Sequence, residues 1–81
     1  MYNDPNPFTS STYVTFKSAG GHILLQVFNT EGKLMKTLAD GDYAAGTYKL
    51  WYENEGHPSG TYYLRLQNEA LQQVKNMIVV R

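Results

Sequence analysis

The chain has 81 residues, of which 42% are hydrophobic and 17% are charged. This size allows one small domain with a modest core. Seven basic residues balance seven acidic ones, so the composition lacks the basic excess of a nucleic-acid binder, and we expect no nucleic-acid partner. The absence of cysteine excludes disulfides, thiolate zinc sites and a cysteine nucleophile.

The N-terminal segment differs in composition from the rest of the chain. Residues 1–11 contain two prolines, two asparagines and two serines, which discourage regular structure. They also lack the basic and apolar stretches of a secretory signal, and no apolar run in the chain is long enough to span a membrane. We therefore predict a linker over residues 1–11, joined to a preceding part of a larger protein, and one domain over residues 12–81.

The first part of that domain alternates in hydrophobicity with a period of two, which predicts strands. Thr12, Val14 and Phe16 share one face of the first strand, and residues 23–28 form a second strand. Gly32 lies in a short hairpin loop, at a position that needs a residue in the left-handed conformation, and the chain continues in a second strand over residues 33–38. Residues 33–38 could also begin a helix, but Asp40 and Gly41 would end it below a normal helical length. These two residues predict a charged hairpin tip.

The second half of the chain repeats the alternation after each of two further glycines. Strands are predicted after Gly46 and Gly60, and a last strand runs from about residue 73 to residue 80. Six or seven short strands without a convincing helix predict an all-β fold, an antiparallel β-sandwich of immunoglobulin-like type. We expect Gly32, Gly46 and Gly60 to be structural turn residues.

The residues that could carry chemistry are sparse. His22 and His57 have no neighbour at the spacing of metal ligands, and Asp40 and Asp42 supply too few oxygens for a calcium loop. We therefore expect no metal, no cofactor and two solvent-exposed histidines.

Catalysis is also not supported by the sequence. No serine lies in a nucleophile elbow or has a base placed to activate it. Glu53 and Glu55 are close in sequence, as glycosidase carboxylates can be in space, but so small a domain has little material for a deep cleft. We expect no catalytic residues and no enzyme activity.

Two apolar features leave alternatives open. Trp51 is out of phase with Tyr48, Leu50 and Tyr52, so it should point away from their buried face, either as a contact surface or beneath a loop. The last strand is apolar on both faces over residues 77–80, which is typical of a central buried strand but also allows an edge strand that pairs with a partner.

Four segments of the chain share their order and spacing with a known family. They are residues 5–8 (Pro-Asn-Pro-Phe), 23–34, 45–66 with its Pro-Ser-Gly-Thr-Tyr core, and 75–81. Together they resemble the type A C-terminal sorting domain of the type IX secretion system, which shares an immunoglobulin-like fold with the flagellar hook-capping domain. Two positions depart from the pattern: the family's tryptophan comes one place early as Trp51, and Asn76 stands where a second lysine is frequent.

The resemblance implies a function in protein export in bacteria of the Bacteroidetes type. A cargo would cross the periplasm, and its C-terminal domain would then be read by the outer-membrane secretion machinery and removed by a sortase-like cysteine peptidase. The cargo would end at the cell surface or in the medium. The isolated domain could also form a homodimer.

The contact residues are expected in the Pro-Ser-Gly turn and in the last strand. The expected recognition residues are Pro58, Ser59, Gly60, Tyr62, Lys75, Met77, Val79, Val80 and Arg81. Two rival functions remain, a structural spacer and a carbohydrate-binding module. The second would need coplanar exposed aromatic rings, for which Trp51, Tyr43 and Tyr63 are the candidates.

Overall fold

The computed structural model describes residues 1–54 and 56–80. Seven strands and no helix occur in these residues. The strands are β1 (Tyr2–Asp4), β2 (Ser11–Ser18), β3 (Gly21–Phe28), β4 (Leu34–Tyr43), β5 (Gly46–Glu53), β6 (Gly60–Gln67) and β7 (Gln72–Val79). They form two antiparallel sheets with the orders β1-β2-β5 and β4-β3-β6-β7, which confirms the all-β sandwich.

The facing sides of the two sheets form one core. Successive side chains of a strand point to opposite faces, so Val14 and Phe16 of β2 are buried while Tyr13 and Lys17 are exposed. The same rule buries Tyr52 of β5 and exposes Trp51, which confirms the predicted phase of that strand. The buried apolar side chains are Phe8, Val14, Phe16, Ile23, Leu25, Val27, Ala39, Tyr52, Tyr62, Leu64, Leu66, Met77 and Val79.

The N-terminal segment is part of the sandwich, so the prediction that residues 1–11 lack regular structure is wrong. Tyr2–Asp4 pairs with β2 as an edge strand, and Phe8 is only 3% exposed. The prolines of this segment, Pro5 and Pro7, follow β1 and lie outside its ladder. Their missing N–H groups therefore do not interrupt strand pairing.

The β3–β4 hairpin is longer than predicted, and Asp40 and Gly41 are not its tip. Both residues lie within β4 and pair with β3. The turn of this hairpin lies at Gly32, the residue that the sequence assigned to its loop: the φ of Gly32 is +81°, and its N–H donates to the carbonyl of Asn29 at 3.1 Å. Two bulges shift the register of the β3–β4 ladder. The ladder nevertheless continues through Asp40 and Gly41, although this dipeptide favours a turn locally.

The last strand is an edge strand, which decides between the central and the edge position that the sequence left open. β7 pairs with β6 on one side only. Its apolar residues divide between the two faces: Met77 and Val79 are buried, whereas Ile78 is exposed.

Candidate functional site

One corner of the sandwich brings together three of the segments that the sequence singled out. Gly60 at the start of β6 pairs with Val79 at the end of β7. Phe8 forms a parallel bridge to the same Val79 from the other side. The Pro-Asn-Pro-Phe segment, the Pro-Ser-Gly loop and the end of β7 therefore form one surface, which we call the motif corner.

The loop that precedes β6 is braced at both ends. The hydroxyl of Tyr62 donates to the carbonyl of Pro58 at 2.7 Å. Asn54 exchanges two hydrogen bonds with the backbone of His57, at 3.0 and 3.1 Å. Gly60 has a φ of +150°, a conformation that side chains with a Cβ rarely adopt. The loop thus presents Pro58 and Ser59 to solvent on a fixed backbone.

The Pro-Asn-Pro-Phe segment covers the outer edge of β7 with backbone and side-chain hydrogen bonds. The Phe8 N–H donates to the carbonyl of Ile78 at 3.0 Å, and the Val80 N–H donates to the carbonyl of Phe8 at 2.8 Å. Asn6 accepts from the Ile78 N–H through Oδ1 at 3.0 Å and donates to the Asn76 carbonyl at 3.3 Å. The asparagine side chain therefore substitutes for a backbone neighbour along this edge, which satisfies groups that an edge strand otherwise leaves unpaired.

The expected recognition residues fall into two groups by exposure. Pro58, Ser59, Gly60, Lys75 and Val80 are exposed, whereas Tyr62, Met77 and Val79 are buried in the core. Arg81 lies outside the described residues. A partner of the folded domain can touch only the exposed group, and the buried residues act on the corner through packing.

The sequence did not single out two further exposed apolar side chains on the outward face of β7. Val74 is 51% exposed and Ile78 is 40% exposed, in line with Val80 because residues of even number share one face. They are exposed because they lie on the outer face of the four-stranded sheet, away from the core that buries Met77 and Val79.

The described residues contain no group of three acidic or histidine side chains that could hold a metal ion. His22 contacts Asp40 at 2.9 Å and Asp42 at 3.7 Å, all on the exposed surface of the β3–β4 hairpin. Exposed pairs of this kind contribute little to stability. The Glu53–Glu55 pair cannot be placed, because Glu55 lies outside the described residues.

The three aromatic residues considered for carbohydrate binding do not share a surface. Tyr43 packs edge-on against Phe16 and Tyr48, with centroid distances of 5.6 and 4.9 Å. Tyr63 lies in β6 of the four-stranded sheet, and Trp51 lies in β5 of the other sheet. These three side chains therefore do not form a common platform.

One family model spans all three segments of the motif corner. The model of the secretion system C-terminal sorting domain family matches residues 4–80. The chain belongs to this family. No curated protein matches the chain. The matched range includes the Pro-Asn-Pro-Phe segment, so the family domain begins before the boundary at Thr12 that composition suggested.

Membership in this family shows the general function of the chain. The sorting domain is the C-terminal signal for type IX secretion, so it interacts with that secretion system and accompanies export to the cell surface or the medium. The family is not a family of enzymes. No helix among the described residues has the length and hydrophobicity to cross a membrane.

Proposed function

We propose that the secretion machinery reads this sorting domain in its folded state, through the exposed residues of the motif corner. The observation that supports this proposal is the convergence of three matched segments on Val79, which is contacted by Gly60 on one side and Phe8 on the other. Segments that are remote in sequence and adjacent in space provide a surface that only the folded chain presents.

Two exposed elements of the corner have the properties of a recognition surface. The Pro-Ser-Gly loop is tied to β6 by the hydrogen bond from Tyr62 to Pro58, which reduces the conformational entropy lost when a partner contacts it. The outward face of β7 and the residue after it present the apolar side chains of Val74, Ile78 and Val80, with the polar Asn76 between the first two. Apolar groups that remain exposed in a folded monomer commonly mark protein contacts.

The buried members of the expected recognition set have a supporting role in this proposal. Tyr62 holds the loop through its bond to Pro58, while Met77 and Val79 fix β7 against the core. Their replacement would impair export by displacing the surface, whereas replacement of the exposed residues would impair export without unfolding the domain.

The rest of the proposed route follows from the family. The cargo passes through the periplasm, the outer-membrane machinery engages the domain, a sortase-like cysteine peptidase removes it, and the domain itself performs no chemistry. A homodimer of the isolated domain remains a prediction that sedimentation equilibrium can test.

The test is a fusion of residues 1–81 behind a reporter that carries a periplasmic signal, expressed in a bacterium with the secretion system. We expect the reporter outside the cell and the domain removed. Val80→Asp should retain the reporter in the periplasm, while the matched exchange Leu71→Asp should not, because both side chains are at least half exposed (50% and 65%) but only Val80 lies in the corner.

Thermal unfolding of both purified variants serves as the control for folding. A chain that ends at Val79 should likewise lose export, and it should remain folded because the hydrogen bonds of the Phe8 N–H and of the Asn6 side chain with Ile78 stay in place. Equal export of the two aspartate variants, with both domains folded, would contradict recognition through the corner.

A further inference from the structure

The outer face of the β1-β2-β5 sheet carries an exposed aromatic pair. Tyr13 and Trp51 lie directly opposite each other in the β2–β5 ladder. Their ring centroids are 4.8 Å apart with an interplanar angle of 67°. They remain 41% and 51% exposed, so solvent reaches both rings.

Neighbouring side chains hold this pair in place. The indole N–H of Trp51 donates to Oε1 of Glu53 at 2.9 Å. The ammonium group of Lys49 lies 4.4 Å from the centroid of the Tyr13 ring, within the range of a cation–π contact. These contacts restrict the movement of both rings, so a ligand that uses the rings would lose little free energy in ordering them.

The residues around the pair are polar and their charges cancel. Strand alternation and register place Asp4 beside Tyr13, and Thr15 between Tyr2 and Lys49, on the same outer face. The charged side chains of this face are Asp4, Lys17, Lys49 and Glu53. Two acidic and two basic groups thus share this face with the rings, together with threonine hydroxyls.

We propose that this face binds a neutral glycan. A pyranose ring has an apolar C–H face, which suits the electron-rich face of an aromatic ring, and a rim of hydroxyls that need both donors and acceptors. Trp51 provides the stacking face, and Tyr13, set at 67° to it, forms an apolar wall beside the bound ring. Lys49 donates hydrogen bonds to hydroxyl oxygens, and the free oxygen of Glu53 accepts from hydroxyl protons.

The same chemistry disfavours the other ligand classes. A nucleic acid or an acidic polysaccharide requires an excess of positive charge, and this face has none. The core of a protein interface is depleted in lysine and acidic residues, whereas here such residues alternate with the aromatic rings. A neutral ligand with many hydroxyls fits a face on which acidic and basic groups are equal in number and alternate with aromatic rings.

The glycan face is separate from the motif corner used for sorting. Its strands belong to one sheet, whereas the exposed apolar side chains of β7 belong to the outer face of the other sheet. A bound glycan therefore leaves those side chains accessible. Glycan binding is accordingly an additional activity, and its failure would not affect the sorting proposal.

Intrinsic fluorescence provides a direct assay, because Trp51 is the single tryptophan of the chain. The 81-residue domain is titrated with cellohexaose, mannohexaose, chitohexaose and a soluble galactan, each up to about 5 mM, since exposed platforms of this size bind weakly. We expect a saturable change for at least one of these glycans. The affinity should be unchanged by added salt, because the ligand is uncharged.

Calorimetry with the same glycan then tests the residues. Trp51→Ala and Tyr13→Ala should each weaken binding about tenfold or more, and the matched control Leu71→Ala should bind like the parent. If Trp51→Ala fails to fold, Glu53→Gln replaces it and should weaken binding while the rings stay in place. Absence of saturation with all four glycans, affinity unaffected in the folded variants, or binding confined to dextran sulfate would overturn the proposal.

Discussion

Replacing Phe8 with alanine should destabilise the whole domain, although Phe8 lies in a segment whose composition resembles a linker. Its side chain is 3% exposed and packs edge-on against Tyr52 at a centroid distance of 6.0 Å. Nearly the full transfer free energy of a phenylalanine is therefore lost, about 2–3 kcal/mol, and a residual cavity adds to this. Because the site lies beside the edge strand β7, partial collapse should limit the total to about 3 kcal/mol.

A loss of this size is a large part of the stability of so small a domain. It should lower the melting temperature by roughly 12 °C or more. Urea unfolding followed by Trp51 fluorescence measures the free energy, and Tyr2→Ala in the same segment is the control. Tyr2 is 59% exposed, so its replacement should change the free energy by less than about 0.5 kcal/mol. A Phe8→Ala domain within about 1 kcal/mol of the parent would mean that the segment detaches without cost, and our account of the corner would be wrong.

Two further predictions concern the Pro-Ser-Gly loop. Gly60→Ala should cost about 1 kcal/mol or more because the φ of Gly60 is +150°, while Gly41→Ala, at a glycine of negative φ within β4, should be close to neutral. Equal melting temperatures for these two variants would refute the conformational argument, since a Cβ meets nothing within 4 Å at either site. Tyr62→Phe removes the 2.7 Å bond to the Pro58 carbonyl and should cost about 1 kcal/mol in urea unfolding; an unchanged midpoint would show that the loop is held by other contacts.

The strands that the sequence predicted correctly are those whose alternation is set by the core. Val14 and Phe16 of β2, and Tyr52 beside Trp51 in β5, have the burial that a period of two requires. Each of these strands has one face against the opposite sheet, so hydrophobicity along the chain records which residues face inward.

The errors occur where distant residues override local preference. Nothing within the Pro-Asn-Pro-Phe segment indicates that Phe8 will bridge to Val79, because that contact is made by the other end of the fold. Asp40 and Gly41 favour a turn locally, yet pairing with β3 keeps them in a strand. The position of β7 was left open between the centre and the edge for the same reason, since only the sheet order decides it.

The bridge between Phe8 and Val79 also determines when the domain can complete its fold. The hydrogen bond from Asn6 to Asn76 closes a loop of 70 positions, and long-range contacts of this kind form late because loop-closure entropy opposes them. A nascent chain that stops anywhere before β7 leaves Phe8 and Asn6 without their partners, so the corner is never assembled. Under the proposed recognition of the corner, a cargo whose translation stops before the last strand would therefore lack the surface that the secretion machinery contacts.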